Sequence, residues 1–238
     1  MDNLFQVWVY LSASPLFHLT LTLVAYQLAL YAFRASGNFA LLNPVLVAVV
    51  VIITILTLSN TSYETYFDGA QFVHFLLGPA TVSLAVPLYR QLDRVKEAAW
   101  PLIISLCIGS FAGMASAVGL LWWFDLPADI LASAAPKSVT SPVAMAVAEQ
   151  LNGIPALAVV FVMGTGITGA AIGPAVLSLL RVTDQRAAGF AIGTAAHGVG
   201  TARALQIGEV AGAFSGLAMG LNALVTALAL PLIWPLLL

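Results

Sequence analysis

Apolar residues in this chain run in unbroken blocks instead of alternating with polar ones. Blocks of about 20 residues, the length a helix needs to cross a bilayer, fall at roughly 15–33, 40–58, 71–92, 99–124, 154–180 and 209–237. Two further apolar stretches, about 128–150 and 187–206, are interrupted by Gly, Pro and polar residues. Trp100 opens one block, and Trp122 and Trp123 close it. At 1.5 Å per residue they stand about 33 Å apart, which suits an aromatic pair at the two faces of a bilayer.

Basic residues set the expected direction of these blocks. Arg34 follows the first, Arg90, Arg94 and Lys96 follow the third, and Arg181 and Arg186 follow the 154–180 block. The opposite loops carry Glu64, Asp68, Asp125 and Asp129 and no Lys or Arg. The positive-inside rule then places the basic loops in the cytoplasm, the N-terminus outside and the C-terminus in the cytoplasm. For Arg181 and Arg186 to share the basic side, 128–150 must enter and return as a re-entrant hairpin, with Pro136 and Pro142 at or near its tip. The alternative is one proline-kinked helix, which sends both arginines outside. Non-helical backbone at membrane depth persists only where it is buried in protein or lines a wet cavity. The expected fold is a single all-α integral membrane domain, 1–238, of about seven transmembrane passes plus one re-entrant hairpin.

The chain also echoes itself. "NPVLVAV" at 43–49 reads like "SPVAMAV" at 141–147, and "GPATVSLAVPLYRQL" at 78–92 like "GTAAHGVGTARALQI" at 193–207. With 71–92 running inward and 187–206 running outward, the two halves, roughly 40–124 and 138–237, are expected to be an inverted repeat. Secondary transporters are often built this way, with discontinuous helices meeting at the midplane.

Composition narrows the class. Hydrophobic residues make up 61% of the chain and charged residues 8%, against roughly 25% charged in soluble domains. A net charge of −2 excludes a nucleic-acid-binding surface, and lipid is the expected surrounding. No basic stretch precedes the first apolar block, so no signal peptide is expected. Cys107, the single cysteine, has no partner for an intrachain disulfide and reads as a packing residue.

Candidate chemistry gathers on the two interrupted stretches. Lys137 lies in "AAPKSVTSPVAMA", away from any obvious cytoplasmic loop. A cation at the bilayer centre costs about 2.5–3.5 kcal/mol on insertion scales. It calls for an anion, a wet cavity or a snorkelling route to the interface. Arg203, in "GTARALQ", poses the same question close to the loop at Gly208–Glu209. Glu149 and Glu209 could pair with either cation. Ser138, Thr140 and Ser141 accompany Lys137, and Thr194, His197 and Thr201 accompany Gly193, Gly198 and Gly200. Hydroxyls and the exposed N–H groups of broken helices make a carboxylate receptor; helix packing by small residues is the plainer reading. Through the internal echo, Asn43 and Thr81 join the candidate substrate contacts. His197 could carry a proton, since its unperturbed pKa is about 6.5, or serve as a hydrogen-bonded structural residue.

Other motif matches lead nowhere. "GTGITG" at 164–169 lies inside an apolar block, not between a strand and a helix. "GLAMG" at 216–220 signals helix packing and a weak case for a homo-oligomer. Asn60-Thr61-Ser62 fits a glycosylation sequon only by pattern. With no nucleophile–base pair, metal-ligand cluster or phosphate loop, neither an enzyme nor a bound metal or cofactor is expected.

The strings "LLNPVLVAVVV", "LPAD", "APKSVTSPVAMAVAEQLNGIPALAVV", "GTAAHGVGTARALQ" and "GAFSGLAM" closely resemble the LrgB/CidB family of antiholin-like autolysis modulators. The resemblance runs from about residue 38 to the C-terminal end. It implies a bacterial inner-membrane protein, often encoded beside a small LrgA/CidA membrane partner. The plastidal glycolate/glycerate translocator looks like a fusion of the two parts, and bacterial relatives are linked both to control of murein hydrolases and lysis and to pyruvate uptake. The family's signature falls on Pro136, Lys137, Ser138, Thr140, Pro142, Gly193, His197, Gly200, Thr201 and Arg203. The implied function is transport of a small monocarboxylate such as glycolate, glycerate or pyruvate by alternating access, with proton coupling as an option. The alternative is an antiholin-like modulator with no substrate of its own.

Overall fold

The computed structural model describes residues 14–37, 42–76, 79, 82, 83 and 85–236. The chain divides into two compact units, Met1–Ser83 and Leu84–Leu238. Thr81, one of the candidate contacts, lies outside the described residues.

The first unit holds α1 (Pro15–Ala35), α2 (Pro44–Leu58) and α3 (Tyr63–Phe75). Proline opens α1 and α2, where its missing N–H has no helical partner to lose. Ahead of α2, the Asn43 side-chain oxygen accepts from the N–H groups of Val45 and Leu46 at 3.0 and 3.3 Å. That cap fixes the helix start. Ala25, Ala29 and Ala48 seal α1 against α2. Further toward the start of α1, along the same buried stripe, Gly69 meets the Pro15 carbonyl and His18 packs edge-on to Tyr66. The expected block at 71–92 is not one helix: α3 starts at Tyr63 and ends at Phe75.

The second unit begins with two short helices, α4 (Ala85–Arg90) and α5 (Leu92–Glu97). It continues through α6 (Ala99–Trp123), α7 (Ala128–Ala134), α8 (Ser141–Gln150) and α9 (Pro155–Leu179). It closes with α10 (Gln185–Ile207), α11 (Glu209–Ile233) and a final 3₁₀ turn, Trp234–Leu236. Among the described residues, four helices are long and apolar enough to cross a membrane: α1, α6, α9 and α11 with its 3₁₀ turn. Several helices stop in a left-handed residue. After α6 the N–H of Leu126 bonds Leu121 O and that of Asp125 bonds Trp122 O, with Asp125 at φ +52°. Asn152 after α8 and Arg181 after α9 repeat the arrangement, in which two otherwise orphaned carbonyls are satisfied.

Between α6 and α9 the chain doubles back. Leu131 on α7 and Val147 and Leu151 at the end of α8 share one cluster with Met114, Leu230 and Trp234. The Ser133 hydroxyl accepts from the N–H of Ile154, at the entry to α9, at 2.7 Å. Both ends of the 128–150 stretch therefore lie at the same end of the unit.

The stretch at 187–206 does the same from the opposite end, which corrects the expectation that it crosses outward. Helical geometry fails inside α10 at Ala196 (φ −125°) and His197 (φ +42°, ψ −133°), and the second half returns. A Cβ on Gly208 would lie 2.9 Å from the Gln185 side-chain oxygen, and one on Gly200 would lie 2.6 Å from Cβ of Ala196. An unbroken helix would hold residues 185 and 208 about 34 Å apart. Small residues make the turn possible. Gly189 and Gly193 also seat this hairpin on α11, where a Cβ on either would lie 2.1 Å from the carbonyl of Ala211 or Ser215.

The two halves of this arrangement share one burial pattern. The buried stripe of α9 is Ala158, Val162, Gly166 and Ala170. On α11, Ala218, Asn222, Thr226 and Leu230 are buried, each sixty residues later. Ala144 and Ala204, also sixty apart, are both fully buried.

Charge separates the ends. Arg90 pairs with Glu209 at 3.3 Å, and Arg94, Asp184 and Arg186 line one cavity. The other end, around Trp234 and Leu131, carries Asp125, Asp129 and Glu149. Because 187–206 returns, α11 runs from the arginine-rich end to the other. Trp234 thus lies at the end of this unit opposite the basic residues.

Candidate functional site

The tips of the two hairpins meet beside the middle of α6. A cavity of about 360 Å³ is lined there by Ser105, Gly109 and Gly113 of α6, by Lys137 and Ser138 of the first tip, and by Phe190 and Thr194 of the second. Two glycines of α6 admit the tips: a Cβ on Gly113 would touch Ser138 Oγ at 3.6 Å, and one on Gly109 would touch Thr194 at 3.4 Å.

The first tip is a tight turn. Lys137 N–H bonds Ala134 O, and Val139 N–H bonds Pro136 O. Among the described residues, the N–H groups of Ser138, Thr140 and Ser141 make no backbone hydrogen bond. Thr140 stands at the N-cap of α8 in extended conformation with no side-chain cap bond, and Ser141 is the first helical residue. Orphan donors at a helix start carry a partial positive charge. Lys137 is half-buried, and among the described residues no carboxylate lies at ion-pair distance from it. Glu149 is exposed near the far end of α8, and Glu209 pairs with Arg90.

The other predicted residues divide into groups. Thr194 joins Lys137 and Ser138 at the cavity, its hydroxyl donating to Phe190 O at 2.9 Å. His197 turns away toward α9: its Nε2 is 3.0 Å from Val162 O, and its ring presses on Gly166. Thr201 donates to His197 O at 2.8 Å and lies 3.0 Å from Ser215 Oγ of α11. Arg203 is half-buried close to the end of α10, donating to the Gln206 side-chain oxygen at 2.8 Å. His197, Thr201 and Arg203 do not line the cavity that holds Lys137. Asn43 belongs to the first unit, where it caps α2.

Sequence reading missed Asn222. It sits in the middle of α11, 1% exposed. Its amide donates to Ser138 O and to Thr194 O, both at 3.0 Å, and its Oδ1 accepts from Ser110 of α6. The available signal was a lone Asn inside "GLNALV".

The cavity leads toward the arginine-rich end. It shares Leu102 and Ala187 with a second cavity lined by Glu97, Asp184 and Arg186. Here Asp184 caps α10 by accepting from Arg186 N–H at 2.8 Å, and it also receives the Arg186 side chain at 2.7–3.2 Å. Hydrogen bonds from the Arg186 side chain and backbone hold the Asp184 carboxyl well below the usual range, at about 2. The same partner raises Arg186. At the other end, Met114, Leu131, Val147, Leu151, Leu230 and Trp234 form a buried apolar layer.

Comparison with known proteins gives a consistent family. The sequence model of the LrgB-like family matches residues 22–236. The chain is 37% identical over 213 residues to the uncharacterized protein YxaC of Bacillus subtilis, covering 90% of this chain and 92% of that one. It is 31% identical over 222 residues to antiholin-like protein LrgB of Bacillus mycoides, covering 93% and 96%. No solved structure matches the chain.

Proposed function

The chain belongs to the LrgB-like family, and on that premise we propose that it is a secondary carrier for a small monocarboxylate of the glycolate, glycerate or pyruvate type. The observation that carries the proposal is Lys137. It lines a cavity at the tips of two broken segments, has no carboxylate partner among the described residues, and stands beside orphan N–H groups and hydroxyls. A cation kept at this depth against its desolvation cost is accounted for by an anion that comes and goes. One positive charge and a cavity of about 360 Å³ suit a small monoanion. The Thr194 hydroxyl must leave Phe190 O to donate to it.

In this proposal both hairpins are re-entrant, and 128–179 and 185–233 are inverted copies. The equal spacing of the buried stripes on α9 and α11 supports that pairing. The longer pairing of 40–124 with 138–237 joins segments of both units and is a broader version of the same idea. The basic end faces the cytoplasm of a bacterial inner membrane. The cavity is then continuous with the inner side, and the apolar layer around Leu131 and Trp234 closes the outer one. Alternating access requires that layer to part.

Uptake of radiolabelled glycolate and pyruvate into vesicles containing only this protein tests the carrier. Saturable uptake abolished in Lys137→Ala is expected; no uptake by well-folded wild-type protein would overturn it. A second reading rests on the similarity to the Bacillus mycoides relative, antiholin-like protein LrgB. In it the chain modulates murein hydrolases, as a homo-oligomer or with a small LrgA/CidA-like partner. It predicts altered lysis on expression that is unaffected by Lys137→Ala.

A further inference from the structure

Asn222 occupies the position on α11 that Val162 occupies on α9, sixty residues earlier in the matching buried stripe. An amide there is costly unless all its hydrogen bonds are made. Asn222 makes three: one accepted from Ser110, and one donated to the carbonyl of each hairpin tip, at Ser138 and at Thr194. The tie has a partial mate across the pseudo-repeat. Ser138 to Asn222 corresponds by the sixty-residue shift to residue 198 and Val162, and the observed bond joins His197 to Val162 O.

The chemistry at the cavity gives the Asn222 tie a purpose. A carboxylate only accepts hydrogen bonds, so unpaired carbonyl oxygens on the wall of its site repel it. By engaging the carbonyls of Ser138 and Thr194, one amide removes two acceptors from the cavity edge. It also fixes the separation of the tips.

We propose that Asn222 is the positioning residue of the anion site: it holds the two discontinuous segments together with their donors facing the cavity and their carbonyls turned away. The proposal rests on the carrier reading for its effect on transport, but its structural half can be tested without transport. Asn222 touches the tips and not the substrate, and one of its two carbonyl bonds must open when the hairpins separate.

Three measurements test it. In a Cys107→Ala background, Ser138→Cys with Thr194→Cys should cross-link readily with a short bifunctional reagent. Adding Asn222→Val, the residue of the matching position, should cut the yield several-fold. For transport, Asn222→Val in the otherwise native chain should lower uptake by 10-fold or more and raise KM, with a folded protein by size exclusion. Asn222→Asp covers the case in which valine does not fold. Its ionised carboxylate would face two carbonyls, whereas its acid form can donate once. Uptake relative to wild type at the same pH should therefore be low at pH 7.5 and recover toward pH 5. Taking the ratio cancels any titration of the nearby Lys137 and His197, which both proteins share. Unchanged cross-linking in Asn222→Val, or an Asn222→Asp profile parallel to wild type, would overturn the proposal. If wild-type vesicles take up neither acid, the carrier reading fails and the cross-linking alone decides the role of Asn222.

Discussion

The ring of His197 lies directly on Gly166: a Cβ built on that glycine would stand 2.6 Å from Cε1 and 2.8 Å from Nε2. The same Nε2 is 3.0 Å from Val162 O. A carbonyl can only accept, so Nε2 donates a proton to it. His197 reaches this place through a backbone conformation that side-chain-bearing residues rarely adopt, φ +42° and ψ −133°. The break in α10, the histidine and the glycine are one structural device.

Gly166→Ala should therefore destabilise the protein by about 1–3 kcal/mol, the usual cost of overpacking. His197→Ala removes the ring, so the two substitutions should be non-additive: the double variant should melt higher than the sum of the single losses predicts. Melting curves in detergent provide the check. Strict additivity would mean that the ring does not rest on Gly166.

Glycines elsewhere should divide by what faces them. Gly189→Ala and Gly193→Ala each put a methyl 2.1 Å from a backbone carbonyl of α11, which cannot swing aside as a side chain can. Both should lower the melting temperature sharply. Gly119→Ala and Gly220→Ala meet nothing within 4 Å and should be neutral or stabilising, by up to about 1 kcal/mol from helix propensity. Gly220 is the second glycine of the sequence motif at 216–220, and at that position the motif meets open space.

These contrasts show how far the sequence could be read. Long apolar blocks are legible because bilayer thickness fixes their length, and α1, α6, α9 and α11 lie where the blocks do. For 128–150, the expectation of a return rested on the placement of Arg181 and Arg186, and the prolines at 136 and 142 marked where the chain could turn. The return of 187–206 was not legible, because glycine and alanine allow a tight turn without demanding one, and no proline marks it. Lys137, Ser138 and Thr194, singled out in the sequence by their chemistry, line one cavity. Asn222 was missed because it stands alone in an apolar helix; only the fold reveals that two distant carbonyls converge on it.

Lys137 should matter to transport more than to stability. A cation paired with a buried carboxylate leaves an uncompensated charge when removed, at about 3–5 kcal/mol. Lys137 has no such partner among the described residues, so Lys137→Ala should lose anion uptake by 10-fold or more with little change in melting temperature. Substrate should raise the melting temperature of the wild type and not of the variant, since a ligand stabilises only the state it binds. A destabilised variant with normal uptake per folded molecule would make Lys137 structural.

The Asp184–Arg186 pair predicts a pH dependence at the basic end. The Asp184 carboxyl is lowered to about 2 from its ordinary 3.8. A depressed carboxyl contributes stability above its unfolded pKa and loses it as pH falls through the folded one. Asp184→Asn should cost a small, constant amount of stability from pH 8 to 5. The difference from wild type should shrink on acidification from about pH 4 toward 2. The pair is exposed, so added salt should reduce the effect at every pH. A difference that grew on acidification would contradict the assignment.

Membrane sidedness gives the most direct test of the two hairpins. Asp129 and Asn152 flank the first, and Gln185 and Gln206 flank the second. If both are re-entrant, single cysteines at Asp129 and Asn152, in a Cys107→Ala background, should react with an impermeant maleimide from one side. Cysteines at Gln185 and Gln206 should react from the other. A kinked but continuous 128–150 would split the first pair and leave Asn152 and Gln185 on opposite sides only if α9 still crosses. A continuous 187–206 would split the second pair. Each hairpin is thus judged by its own two labels. The sign of the whole pattern separately tests whether the end bearing Arg90, Arg94 and Arg186 faces the cytoplasm: Gln185 should be protected in intact cells and reactive in inverted vesicles.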